Sequence, residues 1–220
     1  AFTFGDGTDD DPFTFALWYK NNDDTVSGDL FSKYNDSVAG EYYARVDGDG
    51  KITMALVDYV SGVDTASVIT DNAVVEVANG WTHVVITYVG RGGATAAGGI
   101  KIYIDGVSVA VTATNNADYD AMSNQSSAEF MVGAETHTGD SAPRREIQGY
   151  ITEFSVYTQE LSAAQVSTLY NTGEWIDQKN DARLPTPQNW WRMGANVTGS
   201  SPNYTIIDEM DSQNLAMTGF

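Results

Sequence analysis

Large apolar side chains alternate with other residues near the start of the chain. The apolar positions are Phe13, Phe15, Leu17 and Tyr19, and Thr14, Ala16, Trp18 and Lys20 stand between them. A repeat of two residues places one set on each face of a β-strand, whereas a helix repeats every three to four residues. The pattern therefore predicts a strand with one buried face over residues 13–20.

Nine shorter β-like runs follow, most of them separated by turn residues. They span residues 29–34, 41–46, 51–57, 74–77, 82–89, 100–104, 107–112, 130–132 and 150–157. Asp47-Gly48-Asp49-Gly50 and Asp105-Gly106 each stand between neighbouring runs. Because Asp-Gly tolerates the positive φ angles of a tight turn, we expect antiparallel hairpins at both places.

One segment carries the signals of a helix. Ser162 and Gln165 have the spacing of a capping box, and Gly173 follows as a stop signal. The apolar stripe between them is Val166, Leu169 and Tyr170. Many strands with a single helix are typical of layered all-β folds. The sequence predicts an all-β, two-sheet antiparallel jelly-roll sandwich with one short helix.

The polar stretch that follows Gly173 divides the chain. It contains Pro185 and Pro187, which favour an extended connector. Strand signals resume around Trp190. We expect residues 1–173 to form the sandwich and residues 174–189 to form the connector. Residues 190–220 then supply C-terminal strands that pack on the same sandwich or on a neighbouring copy.

Charge and composition narrow the range of partners. The 220 residues are 42% hydrophobic, which is enough for one packed core, and their formal net charge is -19. Such a surface repels phosphate backbones and anionic lipids, so nucleic acid is not expected as a partner. No apolar stretch has the length of a membrane span, so we expect no membrane insertion. The absence of cysteine excludes disulfides and thiolate chemistry.

Five segments, taken in order, resemble the laminin G-like, concanavalin A-like family of lectin and glucanase sandwiches. They are residues 13–20, the Trp-x-His-Val strand at 79–88, and residues 102–106, 149–157 and 161–170. The resemblance covers about residues 2–173. It implies a lectin-like sandwich that binds glycans.

A second likeness concerns the C-terminal part. Residues 190–194 and 206–215 resemble segments that usually open such a domain, although here they follow its end. This permuted order is similar to sandwich modules in bacteriophage structural proteins, both fibres and capsid decorations. The resemblance implies a virion surface as one possible setting. Copies of the chain itself, or other virion or surface proteins, would then be partners.

An acidic loop at residues 5–12 is the candidate metal site. It holds four carboxylates, and calcium takes six to eight oxygen ligands. In the resembled family a calcium often lies at this edge, which implies Asp6, Asp10 and, from the strand before the helix, Glu153 as ligands. Thr152 stands where that strand usually has Asp. The alternative is that Asp6 caps a turn and the other carboxylates face water.

Nothing in the sequence indicates catalysis. A glycosidase on this fold needs two carboxylates facing each other across a cleft, and Glu153 is alone on its strand. His83 and His137 are the only histidines, and no Gly-x-Ser-x-Gly motif is present. We expect a non-catalytic protein, with a polysaccharide-cleaving enzyme as the disfavoured alternative.

Sugar recognition requires exposed aromatic faces beside polar groups. Tyr59 and Tyr119 stand in acidic, loop-like surroundings, and we expect them to form a ligand site with Asp118 and Asp120. Other aromatic residues, Trp81 above all, are expected in the core.

These features predict a non-catalytic binding or structural module on an extracellular or virion surface. It would attach to a glycan or another cell-surface polymer and would carry a calcium-stabilised loop. The alternative is a purely structural subunit of a virion or surface appendage.

Overall fold

A computed structural model of the chain describes residues 2–35, 39–59, 63–125, 127–137, 143–195, 197–200 and 203–217. Its strands, in chain order, are β1 (Phe13–Asn21), β2 (Gly28–Asn35), β3 (Ala39–Val46), β4 (Ile52–Asp58), β5 (Asp64–Thr70), β6 (Trp81–Tyr88), β7 (Ile100–Ile104), β8 (Val107–Ser108), β9 (Val111–Asn115), β10 (Phe130–Val132), β11 (Gly149–Tyr157), β12 (Asn189–Trp191), β13 (Val197–Ser200), β14 (Asn203–Ile206) and β15 (Leu215–Met217). The α-helix is α1 (Ala163–Tyr170), and short 3-10 segments lie at Val77–Asn79, Gly93–Gly99 and Asn171–Gly173.

Two six-stranded antiparallel sheets form the sandwich. The first sheet has the order β12-β11-β1-β6-β7-β8, and the second has the order β10-β2-β3-β4-β5-β9. Strands β13, β14 and β15 form a smaller third sheet. The predicted fold class, an antiparallel two-sheet jelly roll, is confirmed.

The alternating pattern of β1 explains why the sheets pack together. Phe13, Phe15 and Leu17 are fully buried and belong to the core between the sheets. The Phe15 ring lies 4.2 Å from the ring of Phe31 on the second sheet and 5.5 Å from that of Tyr42, measured between centroids. Offset and tilted aromatic pairs of this kind add to the free energy gained from burying their area.

Both predicted hairpins are present. Strands β3 and β4 pair across the turn at Asp47, and β7 and β8 pair across Asp105-Gly106, whose φ angles are 50° and 80°. The predicted run at 107–112, however, is two strands. One of them, β8, pairs with β7 in the first sheet, and β9 pairs with β5 in the second, so the chain crosses between the sheets here.

Two further strand predictions differ from the structure. Strand β5 was not predicted, because its buried face combines Val68 with the small Ala66 and the hydroxyl-bearing Thr70, while the apolar Ile69 lies on the other face. The two faces therefore differ little in hydrophobicity. The run at 74–77 is not a strand. The backbone N–H groups of Val74 and Val75 instead donate to the carbonyl of Gly50, at 2.8 and 3.1 Å.

Helix α1 begins at the predicted capping box. The Ser162 backbone N–H donates to Gln165 Oε1 at 2.8 Å, and the Gln165 N–H donates to Ser162 Oγ at 3.3 Å. The helix ends at Asn171, which has a left-handed φ of 45°, two residues before the predicted stop. Its buried Val166 and Leu169 pack on the outer face of the first sheet, against residues that include Ala16 and Val85.

The C-terminal segment pairs with the sandwich of its own chain. Trp191 lies opposite Phe154 in the β11–β12 pair, and its ring is 5.9 Å from that of Phe154 and 5.8 Å from that of Phe2. The carboxylate of Asp208, which is fully buried, accepts bonds from the Trp190 backbone and from the amide of Asn189, at 2.9 and 2.6 Å. Within the described ranges, no helix is long and apolar enough to cross a membrane.

Candidate functional site

The Asp10 carboxylate joins three loops at one end of the sandwich. Its Oδ2 accepts hydrogen bonds from the Tyr88 and Tyr119 hydroxyls, at 2.6 and 2.9 Å, and its Oδ1 accepts from the backbone N–H of Met122 at 2.7 Å. Tyr88 and Tyr119 are fully buried. Burial raises the pKa of Asp10, and the hydrogen bonds oppose that rise. The side chain therefore acts as an internal acceptor that holds the loops together.

A polar cleft of about 490 Å³ opens beside this carboxylate. Its walls include Asp9, Asp10, Arg91, Gly92, Gly93 and Asp120. The backbone N–H of Gly93 donates to the carbonyl of Asp120 at 2.6 Å, which fixes two of the loops against each other. The acidic loop and the loop at 118–120, predicted separately as metal and ligand sites, thus meet in one cleft.

The expected exposure of Tyr119 is wrong. Its ring is buried and its hydroxyl is bonded to Asp10, so it cannot stack on a ligand. Asp118 and Asp120 on either side of it are exposed. Tyr59 is half-buried, and its backbone N–H donates to the hydroxyl of Ser123 at 2.6 Å. The predicted aromatic ligand site is therefore not formed around Tyr119.

Asp6 lies at the rim of the loop and caps a turn. Its Oδ1 accepts from the backbone N–H groups of Asp9 and Thr8, both at 2.8 Å, and these bonds lower its pKa. This geometry is the turn-capping alternative that the sequence left open.

Glu153 lies elsewhere. It occupies a bulge of β11 with a φ of 52°, and its carboxylate accepts from Trp190 Nε1 at 2.8 Å and pairs with Arg192 Nε at 3.2 Å. The bulge lies opposite Leu17 on β1. Leu17 is about 13 Å along β1, at roughly 3.3 Å per residue, from Phe13, which directly follows the acidic loop. Glu153 is thus not brought to the acidic loop.

The expected metal ligands do not form one centre. No group of three His, Cys, Asp or Glu residues in the part of the chain that the structure describes is arranged to hold a metal ion. Both oxygens of Asp10 already accept protein hydrogen bonds, and Glu153 is paired with Arg192. A calcium ligand set of Asp6, Asp10 and Glu153 does not fit this geometry. Calcium binding at the acidic cleft stays a prediction.

Two exposed aromatic residues, Trp81 and Tyr150, lie on either side of Lys20 on the outer face of the first sheet. We call these three residues the aromatic row. Lys20 on β1 lies directly opposite Trp81 on β6 and Tyr150 on β11. Residues opposite each other in antiparallel strands place their side chains on the same face. Trp81 is 45% exposed and Tyr150 is 58% exposed. The expectation that Trp81 belongs to the core is therefore wrong.

The row continues towards the helix through packed rings. Trp18, two residues before Lys20, lies 5.0 Å from the ring of His83, and Tyr170 at the end of α1 lies 5.9 Å from both, between centroids. Burial lowers the pKa of His83 to about 3, so its imidazole is neutral at ordinary pH. These rings form a rigid base beside the row.

A third exposed aromatic ring, the indole of Trp175, lies near the same face. Trp175, in the connector, is 58% exposed, and the guanidinium of Arg192 lies 4.5 Å from the centre of its ring. The backbone carbonyl of Arg192 accepts from the hydroxyl of Thr152, which is opposite Trp18 in the sheet. The connector thus places a further aromatic surface at the β11 side of the sheet.

The sequence contains a signal for the row. Trp81, His83 and Thr87 are spaced by even numbers of residues, so their side chains lie on the same face of β6. Val84 and Ile86 lie on the opposite face, which is buried in the core. That register places Trp81 on the outer face of the sheet. Helix α1 packs on only part of this face, so Trp81, the first residue of β6, remains exposed to solvent.

A two-sheet jelly roll with a helix packed on one outer face defines a lectin-type sandwich. The chain belongs to the concanavalin A-like lectin/glucanases superfamily, whose family model matches residues 2–167. No curated protein matches the sequence.

Several solved structures share the fold. A putative carbohydrate binding protein from Bacteroides ovatus is 16% identical with a TM-score of 0.60, over 98% of this chain and 56% of that one. The CBM40 of the Ruminococcus gnavus IT-sialidase, bound to α2,3 sialyllactose, is 14% identical with a TM-score of 0.54, over 74% of this chain and 84% of that one. A heptameric SAP-like pentraxin from Limulus polyphemus is 17% identical with a TM-score of 0.53, over 96% and 83%. This chain thus spans about half the length of the Bacteroides protein.

Proposed function

We propose that this protein is a non-catalytic carbohydrate-binding module and that the sugar chain lies on the aromatic row. The observation that carries the proposal is the alignment of Trp81, Lys20 and Tyr150 across three neighbouring strands, with both rings exposed. Exposed aromatic side chains grouped on a rigid surface mark binding sites. Their apolar faces cover the C–H faces of pyranose rings, while neighbouring polar groups bond the hydroxyls.

The similar structures support the ligand class. Two of them are a putative carbohydrate binding protein and a module with a bound sialyllactose. At 16% and 14% identity these proteins share the fold with this chain. The glycan that this chain binds must therefore be inferred from the residues of this chain. An extracellular or virion surface is the setting in which such a module would meet its ligand.

We further propose that the module does not cleave its ligand. A hydrolase needs one carboxyl group free to donate a proton and a second one free to act as base or nucleophile. Asp10 is engaged by three internal donors, and Glu153 by Trp190 and Arg192. Neither side chain is available for such chemistry.

Calcium forms the third part of the proposal. The exposed carboxylates of Asp9 and Asp120, with the carbonyls of their loops, are hard oxygen donors of the kind calcium prefers. A cation there would tie the loops that Asp10 already holds together. Because it would bind the folded state, it would add to stability by mass action.

Affinity electrophoresis against a panel of soluble polysaccharides tests the glycan proposal. Retardation by at least one polymer is expected, and Trp81→Ala and Tyr150→Ala should each weaken it about tenfold or more, because each removes a stacking surface. Val107→Ala is the matched control, since Val107 is 67% exposed at the far edge of the same sheet.

Two results would contradict the proposal. One is the absence of retardation by any polymer. The other is retardation that the Trp81 and Tyr150 variants leave unchanged. A chain that binds no polymer but self-associates through Trp81 would instead be a structural subunit.

A further inference from the structure

We infer that the aromatic row selects anionic polysaccharides, and that Lys20 recognises their carboxylate or sulfate groups. The inference rests on the proposed glycan-binding function and adds the class of sugar. Lys20 lies between Trp81 and Tyr150 in the sheet register. A sugar ring stacked on the Trp81 indole or the Tyr150 phenol would therefore place its charged substituents next to the Lys20 ammonium group.

More than half of the basic side chains are engaged by carboxylates of the described residues. The protein has 11 basic residues against 30 acidic ones, and six of the basic side chains form ion pairs within the part of the chain that the structure describes. These are Lys33, Arg45, Lys101, Arg145, Arg183 and Arg192. Lys20 has no ion-pair partner among the described residues. A free lysine between two exposed rings is therefore a feature of this surface that the fold does not require.

The acidic residues closest to Lys20 along the chain are engaged elsewhere. Asp23 accepts from the backbone N–H and hydroxyl of Thr25, at 2.8 and 2.6 Å. Asp24 accepts from the side chain of Asn21 and from the backbone of residue 77, at 2.9 and 2.8 Å. Neither carboxylate neutralises Lys20, whose three ammonium donors remain available for a ligand.

The acidic surface as a whole does not prevent this selection. At physiological ionic strength the Debye length is about 8 Å, so the repulsion between a distant carboxylate and the ligand is largely screened. A direct contact between the ammonium group and an anion is screened much less. A charge-assisted hydrogen bond of this kind is worth roughly tenfold in affinity.

Two polymers with the same backbone test the inference. Polygalacturonate and its methyl ester differ only in the charge of each sugar, and dextran sulfate with dextran forms the corresponding sulfate pair. The wild-type protein should bind the charged member of at least one pair about fivefold to tenfold more tightly in dilute buffer, and added salt should reduce the difference. The pair that shows the preference identifies the anion as carboxylate or sulfate.

Lys20→Gln should remove the preference, because it should weaken binding to the charged member of the pair about fivefold to tenfold more than binding to the neutral member. Lys51→Gln is the matched control, because it makes the same change in net charge in the turn before β4 and should retain the preference. Trp81→Ala should weaken binding to both members of a pair.

Three results overturn the inference. They are equal binding of charged and neutral polymers, a preference that survives in Lys20→Gln, and an equal loss in Lys51→Gln. In each of these cases glycan binding itself remains. A protein that binds no polysaccharide at all contradicts the proposed function instead.

Discussion

Replacing Asp10 tests whether its buried carboxylate holds the loops of the cleft together. Asp10→Ala removes the acceptor of three hydrogen bonds, which come from Tyr88, Tyr119 and the backbone of Met122. Both tyrosine rings are fully buried, so their hydroxyls cannot turn to bulk water without opening the loops. The hydroxyl of Tyr88 keeps one bond, accepted from the backbone N–H of Gly92 at 2.8 Å.

The magnitude follows from the donors that are left behind. Each buried donor without an acceptor costs about 1–3 kcal/mol, so three of them cost at most about 3–9 kcal/mol. Burial raises the pKa of Asp10, which means that its charged carboxylate is costly to keep inside the protein. Removing that charge recovers this desolvation cost and offsets part of the loss. Water that enters the vacated space lowers the cost further. We expect Asp10→Ala to reduce the free energy of unfolding by about 3 kcal/mol, a large share of the roughly 5–15 kcal/mol of a typical domain.

Urea denaturation followed by tryptophan fluorescence measures this change through the transition midpoint. Asp9→Ala is the control, because the side chain of Asp9 is exposed and the replacement should change stability by less than about 0.5 kcal/mol. Asp10→Asn, which keeps the shape but loses one acceptor, should fall between the two. A loss below about 1 kcal/mol in Asp10→Ala, similar to that of Asp9→Ala, would refute the reasoning.

Three further predictions concern pH, calcium and the C-terminal strands. Burial, and then the charge of Asp29, raise the pKa of Glu135 from 4.5 to about 7. Between these values the folded state binds the extra proton, so the free energy of unfolding should rise as pH falls from 7 to 5, by about 2 kcal/mol, and Glu135→Gln should flatten the urea-measured profile. Calcium in millimolar amounts should raise the Tm of chelator-treated protein, and less so in Asp120→Asn, whereas an unchanged wild-type Tm would count against the cleft as a calcium site. A chain ending before Asn189 should aggregate, because it uncovers the edge of β11; a soluble monomer that unfolds cooperatively would show that the segment is independent.

Much of the fold could be predicted because its signals are local. Two-residue alternation in β1, the Asp105-Gly106 turn and the capping box of Ser162 each involve residues within one element. Strand β5 was missed because part of its register is set by pairing with β9, which is distant in sequence, and because its small and hydroxyl side chains give little contrast between faces.

The candidate site was harder to predict because it depends on which groups meet in space. Tyr119 has acidic neighbours and looks exposed in the sequence, yet its hydroxyl bonds to Asp10, which is 109 residues away. Trp81 is a large apolar residue and was expected in the core. It is exposed because α1 covers only a part of the outer face that does not include Trp81. Neither relation is visible in a local pattern.

The chemical shifts of the tryptophan indole N–H groups during a glycan titration test the central claim most directly. The chain has five tryptophans, and Trp191 is fully buried whereas Trp81 is exposed on the row. With a polysaccharide fragment that the protein binds, the account predicts a saturable shift of the Trp81 indole and of the backbone amides of Lys20 and Tyr150, with Trp191 unchanged. Saturable shifts confined to other surfaces, such as the cleft at Asp120, would contradict it.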